Sequence, residues 1–263
     1  MKANQPLPFT DAGAFWPGPR VIAHRGGGTL APENTLAALR AGHAAGCGGV
    51  EFDVMLSADG VPLLMHDADF GRTVAGCGYV ADTPAAQILA MDAGAWFGAP
   101  FRGERVPTLA QALARCVELG LWMNIEIKPA HEGVADATGA AVARAVLETP
   151  AALAMRPVLS SFSEVALAAA QRIAPELARG LLVEAIPPDW PARVARLGAA
   201  TLHAHHPAFD SATLCELNAA MAAGAAPRVG LLAYTVNDPA EAARLTAAGV
   251  AVCTDRPDLI RAG

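Results

Sequence analysis

The chain has few cysteines, no cluster of positive charge and no long apolar run. Its five cysteines are scattered and include no CxxC pair, which argues against a disulfide framework and against a structural zinc site. It carries 19 lysine and arginine residues against 25 aspartate and glutamate residues. Since no basic run offers the phosphate contacts on which nucleic-acid binding depends, we expect no nucleic-acid partner.

Stretches that could enter a membrane are also missing from the sequence. No run reaches the roughly 20 uninterrupted apolar residues of a spanning helix. Residues 1–19 contain one lysine and no continuous apolar block, so the sequence predicts no secretory signal. We therefore expect a cytoplasmic protein without stable membrane association. We also expect it to act as a monomer or a homodimer.

What the chain does contain is a regular alternation of strand-like and helix-like segments. Apolar runs predict strands at 21–24, 49–56, 61–66, 122–127, 157–162, 180–185, 201–206, 229–236 and 250–255. Helices are predicted at 34–46, 108–120 and 238–249, where Asn34, Thr35, Thr108 and Asp238 serve as N-terminal caps. If 49–56 and 61–66 form one bent unit, or one of them is an extra strand, the pattern contains eight βα units.

Repeated βα units indicate a parallel sheet with right-handed crossovers. Eight units in 263 residues predict an α/β fold of the (β/α)8 TIM-barrel type. A doubly wound open sheet is the alternative, and it would require a GxGxxG pattern that GGGTLAPEN does not fit. Residues 67–106 are rich in glycine and lack a clear period, so we expect one domain over 1–263 with 67–106 as a small insertion over the C-terminal face.

Carboxylates lie inside two of the predicted strands. Glu51 and Asp53 are two residues apart and share one face of strand 49–56, as do Glu126 and Lys128 at the end of strand 122–127. Three acids facing the barrel interior would repel one another, and a divalent cation removes that cost. Oxygen ligands favour Mg²⁺, with Ca²⁺ as the alternative. In another interpretation, Glu126 and Lys128 form an ion pair and one of the other acids caps a loop.

Two histidines each end an apolar run, His24 beside Arg25 and His66 beside Asp67. A pair of imidazoles can divide the general-acid and general-base roles near neutral pH. The glycines after Arg25 would let an anion approach the backbone, so the pattern suits phosphoryl transfer. The HAHH run at 203–206 is split between two faces by strand alternation, and we expect His203 and His205 to line a pocket rather than bind metal.

The sequence resembles the glycerophosphodiester phosphodiesterases, particularly the small cytoplasmic bacterial type. The matching segments, in family order, are AHRGGGTLAPENT (23–35), GVEFDVMLSADGVPLLMHDADFGRT (49–73), MDAGAWFGAPFRGERVPTLAQAL (91–113), NIEIKP (124–129), SSFS (160–163), AYTVNDP (233–239) and GVAVCTDRPDLI (249–260). The combination of HRG, PEN, E-x-D and HD is far more specific than any one of these pieces.

The resemblance implies a metal-dependent barrel that hydrolyses small-molecule glycerophosphodiesters to glycerol 3-phosphate and an alcohol. By position, the site residues it implies are His24 and His66 as the catalytic pair, Glu51, Asp53 and Glu126 as metal ligands, and Arg25 and Lys128 as phosphate-side cations. Tyr234 stands where many members have tryptophan, which predicts a modest change in the pocket wall. The nucleophile, water or a glycerol hydroxyl that would give a cyclic phosphate, stays open.

Three other functional classes would require different features of the sequence. A phospholipase D-like or phosphoinositide-specific barrel would need a membrane-facing apolar rim larger than the cluster of Trp96, Phe97 and Phe101. A non-catalytic phosphodiester-binding barrel would be expected to lack one of the histidines or acids. A metal-dependent amidohydrolase requires an HxH pattern on the first strand, where this sequence offers only His24.

Overall fold

The computed structural model describes residues 15–261. Most of residues 1–19, for which the sequence predicts no secretory signal, lie outside this range. Its strands are β1 (Val21–Ala23), β2 (Gly49–Leu56), β3 (Pro62–Leu64), β4 (Trp122–Ile127), β5 (Val158–Ser161), β6 (Ala178–Val183), β7 (Thr201–His205), β8 (Gly230–Tyr234) and β9 (Ala251–Thr254). All except β3 run parallel in one sheet, and β1 pairs with both β9 and β2. The sheet is therefore closed into an eight-stranded barrel, as predicted.

The extra strand is the second of the two adjacent apolar runs. β3 pairs antiparallel with β2, with Val54 opposite Leu64 and Leu56 opposite Pro62. It stands at the edge of the sheet outside the closed ring. The chain therefore doubles back after β2, and the amide of Met65 donates to the carbonyl of Asp53, so His66 comes to lie beside the acids of β2.

Helices connect the parallel strands on the outside of the barrel. They are α1 (Leu36–Ala44), α2 (Ala85–Ile88), α3 (Leu109–Leu119), α4 (Ala135–Leu147), α5 (Pro150–Ala154), α6 (Glu164–Ile173), α7 (Trp190–Leu197), α8 (Ser211–Ala222) and α9 (Pro239–Ala247). Thr35, Thr108 and Asp238 accept hydrogen bonds from amides in the first turns of α1, α3 and α9, which satisfies donors that a helix leaves free. The prediction that Asn34 also caps α1 is wrong, since its side chain bonds to Asp53 in the barrel.

The barrel interior is apolar towards one end and polar towards the other. The apolar part consists of Trp16, Ile22, Trp122, Val158, Leu232, Ala251 and Cys253. His203 is fully buried beside it, with its Nε2 2.8 Å from the Thr201 hydroxyl and its ring edge-on to Trp16. The prediction that His203 lines a pocket is therefore wrong, because its side chain is fully buried. Because apolar side chains fill one end of the interior, the polar side chains that face inward gather at the C-terminal ends of the strands, where barrels of this type carry their active sites.

The segment 67–106 forms a small core of its own against β2 and β3. That core contains Met55, Leu63, Met65, Phe70, Val74, Val80, Ile88, Ala93 and Val106. Trp96, Phe97 and Phe101 pack edge to face against one another. Within residues 15–261, no helix is both long enough and apolar enough to cross a membrane. The single-domain prediction over 1–263 includes residues outside this range and stays a prediction.

Candidate active site

Three buried carboxylates meet where β2 and β4 lie side by side. In the register of these strands, Asp53 is opposite Glu126 and Glu51 is opposite Asn124. Their neighbours Phe52 and Val54 belong to the core outside the barrel wall, so the acids point inward, as strand alternation predicts. One carboxylate oxygen from each of Glu51, Asp53 and Glu126 lies within 4.8 Å of the other two. The sequence-predicted metal ligands are thus brought together.

Burial and nearby charges give these three acids different pKa values. Burial, followed by Asp53 and Glu126, raises the pKa of Glu51 well above its usual range. Burial and Asp53 also raise the pKa of Glu126 to about 7. Burial would raise the pKa of Asp53 too, but Lys128 and other nearby cations hold it at about 2. Asp53 is therefore ionised at neutral pH, whereas burial favours the protonated form of Glu51 and leaves Glu126 close to its midpoint. A bound cation would favour the carboxylate form of all three acids.

The cluster is incompletely neutralised by protein groups alone. Lys128 Nζ donates to Asp53 at 3.1 Å and to Glu126 at 3.3 Å, so the alternative ion pair does form. It leaves Glu51 Oε1 buried with no hydrogen-bond partner among the described residues, and Asn124 Oδ1 and Ser160 Oγ are in the same position. Unpartnered buried oxygens beside three carboxylates fit a hard divalent cation such as Mg²⁺ or Ca²⁺.

His24 follows β1 and is held by an acid from the far end of the chain. Its Nδ1 lies 2.6 Å from Asp255 Oδ1, and Asn237 Nδ2 donates to the second Asp255 oxygen at 3.1 Å. Its Nε2 lies 3.9 Å from Glu51 Oε2. A carboxylate on one ring nitrogen fixes the proton there, so the other nitrogen faces the acid cluster and can exchange a proton.

His66 has an equivalent partner next to it in sequence. Its Nδ1 lies 2.6 Å from Asp67 Oδ1, and Arg72 Nε donates to Asp67 Oδ2, also at 2.6 Å. Burial lowers the pKa of His66; Asp53 opposes this, while Lys128 adds to it. Burial would raise the pKa of Asp67, but its bonds to Arg72 and His66 hold it at about 2. The neutral imidazole of His66 is therefore favoured near neutral pH.

Two arginines share one glutamate beside this site. Arg25 Nη1 donates to Glu33 at 2.7 Å, its backbone amide donates to Glu51 at 2.9 Å, and its Nε lies 3.7 Å from Asp53. Arg72 donates to both carboxylate oxygens of Glu33, at 2.7 and 2.8 Å. Sequence reasoning missed Arg72, whose only signal was its place in the HDADFGRT segment.

The glycines after Arg25 serve the protein's own packing, and the expectation that they also let an anion approach the backbone stays a prediction. A Cβ at Gly27 would lie 2.7 Å from the Ala38 carbonyl oxygen in α1. A Cβ at Gly28, whose φ is +56°, would lie 2.2 Å from the Asp255 carbonyl oxygen. That same carbonyl accepts from Thr29 at 2.8 Å. Glycine is therefore required for the first loop to pack against α1 and the end of β9.

Rings line the other side of the mouth, at the ends of β5 to β8. Tyr234 donates its hydroxyl proton to the Val183 carbonyl at 2.9 Å. Its ring centroid lies 6.0 Å from that of Phe162 and 6.1 Å from that of His205. His205 is exposed there, so it lies at the mouth that His203 does not reach.

Comparisons with known proteins agree on one family. Residues 24–259 match the sequence model of the glycerophosphoryl diester phosphodiesterase family. A glycerophosphodiester phosphodiesterase of Caldanaerobacter subterraneus is 36% identical over 167 residues, which cover 62% of this chain and 66% of that enzyme.

Solved structures of similar proteins share the fold. A phosphodiesterase of Oleispira antarctica in complex with the product sn-glycerol-3-phosphate is 39% identical, with a TM-score of 0.82 over 92% of this chain and 94% of that one. A glycerophosphodiester phosphodiesterase of Agrobacterium tumefaciens is 28% identical, with a TM-score of 0.71 over 91% and 97% of the two chains.

Proposed function

Because this chain belongs to the glycerophosphoryl diester phosphodiesterase family, a family of hydrolases, we propose that it hydrolyses glycerophosphodiesters to glycerol 3-phosphate and an alcohol by a metal-dependent reaction. The observation that carries this proposal is the cluster of Glu51, Asp53 and Glu126 beside two histidine–aspartate pairs. The product bound by the Oleispira antarctica phosphodiesterase supports the same reaction.

Glu51, Asp53 and Glu126 would hold the divalent cation. Their oxygen-only donors favour Mg²⁺, with Ca²⁺ as the alternative. A cation bound there supplies positive charge to phosphate oxygens. Arg25 and Lys128 border the same acids, and we assign to them the binding and orientation of the phosphate group.

The two histidines would carry the protons. His66, whose neutral form is favoured by burial, would remove the proton from the attacking hydroxyl group. His24 would deliver a proton from Nε2 to the departing alkoxide, while Asp255 keeps the other ring nitrogen protonated. Asp67 orients His66 in the same way. The attacking group is water, or a glycerol hydroxyl that would first give a cyclic phosphate.

A panel of diesters tests this function directly. The wild-type protein would be incubated with the choline, ethanolamine, glycerol and inositol esters of glycerol 3-phosphate, with Mg²⁺, Ca²⁺ or Mn²⁺. We expect release of glycerol 3-phosphate, and phosphorus NMR would reveal a cyclic intermediate if a glycerol hydroxyl attacks. No release from any ester with any of the metals would contradict the proposal.

The remaining assignments rest on the sequence. The cytoplasmic location, the monomeric or homodimeric state and the absence of nucleic-acid and membrane partners stay predictions. Tyr234 is proposed as part of the wall of the substrate pocket, since its ring stands at the mouth beside Phe162.

A further inference from the structure

The wall of the mouth at the ends of β5 to β8 has its own chemical character. Phe162 follows β5, Glu184 follows β6, His205 ends β7 and Tyr234 ends β8. The Tyr234 hydroxyl bonds to the carbonyl of Val183, the last residue of β6, so this ring reaches across two strand ends. The rings of Phe162, Tyr234 and His205 therefore lie next to one another, and Glu184 follows the residue that Tyr234 contacts.

Two rings in this wall form an open corner. The Phe162 ring stands at 85° to that of Tyr234, and Phe162 is 44% exposed although it is a large apolar residue. Tyr234 is held in place by its hydroxyl bond and by the neighbouring His205 ring. Fixed aromatic faces that stay accessible are the surfaces on which organic cations bind.

A free carboxylate stands next to this corner. Glu184 is exposed, and within residues 15–261 its carboxylate forms no ion pair. Burial raises the pKa of Tyr234, and the charges of Glu126 and Glu184 raise it further. Glu184 directly follows Val183, whose carbonyl accepts the Tyr234 hydrogen bond, so it stands at the strand end that the Tyr234 ring contacts.

The charges of the mouth are consequently divided between its two halves. The half formed by β1 to β4 carries the cations Arg25 and Lys128 beside the acids that would hold a metal. The opposite half carries aromatic rings and the anionic Glu184. A substrate with a phosphate at one position and a positive charge a few bonds away matches both halves at once.

We propose that Phe162, Tyr234 and Glu184 form the subsite for the leaving alcohol and select alcohols that carry an ammonium group. The inference rests on the proposed function, because it places the phosphate over the acid cluster. The glycerol moiety is uncharged and rich in hydroxyl groups, so rings and a single carboxylate give it few partners. An ammonium group gains both the ring faces and the carboxylate.

A pair of substrates that differ only in charge tests the subsite. Glycerophosphocholine would be compared with its 3,3-dimethylbutyl analogue, in which a carbon atom replaces the quaternary nitrogen. The ratio of the two kcat/KM values would be measured for the wild-type protein, Phe162→Leu and Glu184→Gln. Glu216→Gln makes the same charge change on the exposed surface of α8 and is the matched control.

We expect wild-type protein and Glu216→Gln to prefer the choline ester by about threefold to thirtyfold, the range of such cation contacts. Both subsite variants should lower that ratio. Three results would overturn the subsite while leaving the hydrolase function intact. They are a ratio near one in the wild-type protein, an unchanged ratio in the variants, and an equal loss of kcat/KM on both esters. No turnover of either ester by wild-type protein would overturn both.

Discussion

His24 Nδ1 lies 2.6 Å from Asp255 Oδ1, so a hydrogen bond joins the residue after the first barrel strand to the residue after the last. The pairing of β1 with β9 sets Ala23 opposite Thr254 and brings the two side chains together. Closure of the barrel thus supplies the group that orients the proposed general acid. Asn237 and the backbone amide of Thr29 hold Asp255 in turn.

Asp255→Asn should lower kcat with little change in KM. The substitution keeps the shape of the side chain but removes the charge that fixes the proton on His24 Nδ1, so the ring can turn its proton towards the wrong side. We expect a loss of about 10- to 1,000-fold in kcat. Asp258→Asn is the control, since this carboxylate pairs with Arg256. Equal kcat values for the two variants would show that Asp255 does not orient His24.

The roles of the two histidines can be separated by the quality of the leaving group. A general acid matters little when the leaving group is p-nitrophenolate, which departs without a proton. His24→Ala should therefore lose much less activity on the p-nitrophenyl ester of glycerol 3-phosphate than on glycerophosphoethanolamine. His66→Ala should lose activity on both. The opposite pattern would exchange the two roles, and activity within tenfold of wild type for both variants on both esters would remove the two-histidine mechanism.

Arg72→Ala should impair catalysis although Arg72 is half exposed and belongs to the insertion. It bonds to Asp67, the partner of His66, and to Glu33, the partner of Arg25. Its loss frees Glu33 to hold Arg25 more tightly, so we expect a rise in KM together with a fall in kcat. Added guanidinium should restore part of the activity, which a general loss of folding would not allow.

Arg102→Ala is the matched control for that experiment. Arg102 is also an exposed arginine of the insertion, and among residues 15–261 it forms no ion pair. Its substitution should change neither kinetic constant and should give no response to guanidinium. If Arg72→Ala behaved in the same way, the network through Glu33 and Asp67 would have no part in catalysis.

His203 should make the protein sensitive to acid. Burial lowers its pKa to about 3, whereas an unfolded histidine binds a proton below about pH 6.5. The unfolded state therefore holds the extra proton between these values, and stability falls as the pH falls, by up to about 1.4 kcal/mol per pH unit.

Urea unfolding at pH 7, 6 and 5 measures this effect. His203→Leu should show a smaller loss of unfolding free energy over that range than the wild-type protein. His43→Leu changes an exposed histidine of α1 and should keep the wild-type slope. Parallel slopes for all three proteins would mean that His203 is protonated in the folded state.

Several elements could be predicted because their residues decide them locally. The bounds of β2 and β4 coincide with the predicted 49–56 and 122–127, since continuous burial on both faces gives an unmistakable apolar pattern. The direction of β3 could not be predicted, because parallel and antiparallel strands have similar composition when they are short. Asn34 was assigned to the cap since its residue type suits it, and only the fold reveals its bonds to Asp53.

The acids of the site could be predicted from the sequence, but most of the contacts that hold the other site residues in place could not. Glu51 and Asp53 share a face because alternation is a local property of a strand. Asp255, the partner of His24, is 231 residues away in the sequence, and Glu33, a partner of Arg72, is 39 residues away. Such contacts depend on barrel closure and on the course of the insertion, which no local pattern contains. The position of His203 likewise depends on how the barrel interior is filled around Trp16.

The most direct test of metal-dependent hydrolysis at the three-carboxylate cluster is the rate of glycerol 3-phosphate release. It would be measured after a chelator has removed divalent cations from the protein, and again after Mg²⁺ is restored. We predict that chelation lowers the rate by at least about 100-fold and that Mg²⁺ restores it in wild-type protein and in Glu148→Gln, an exposed change at the end of α4. Glu126→Gln should stay inactive with Mg²⁺ present. Full activity in chelated wild-type protein, or in Glu126→Gln, would contradict the proposed site.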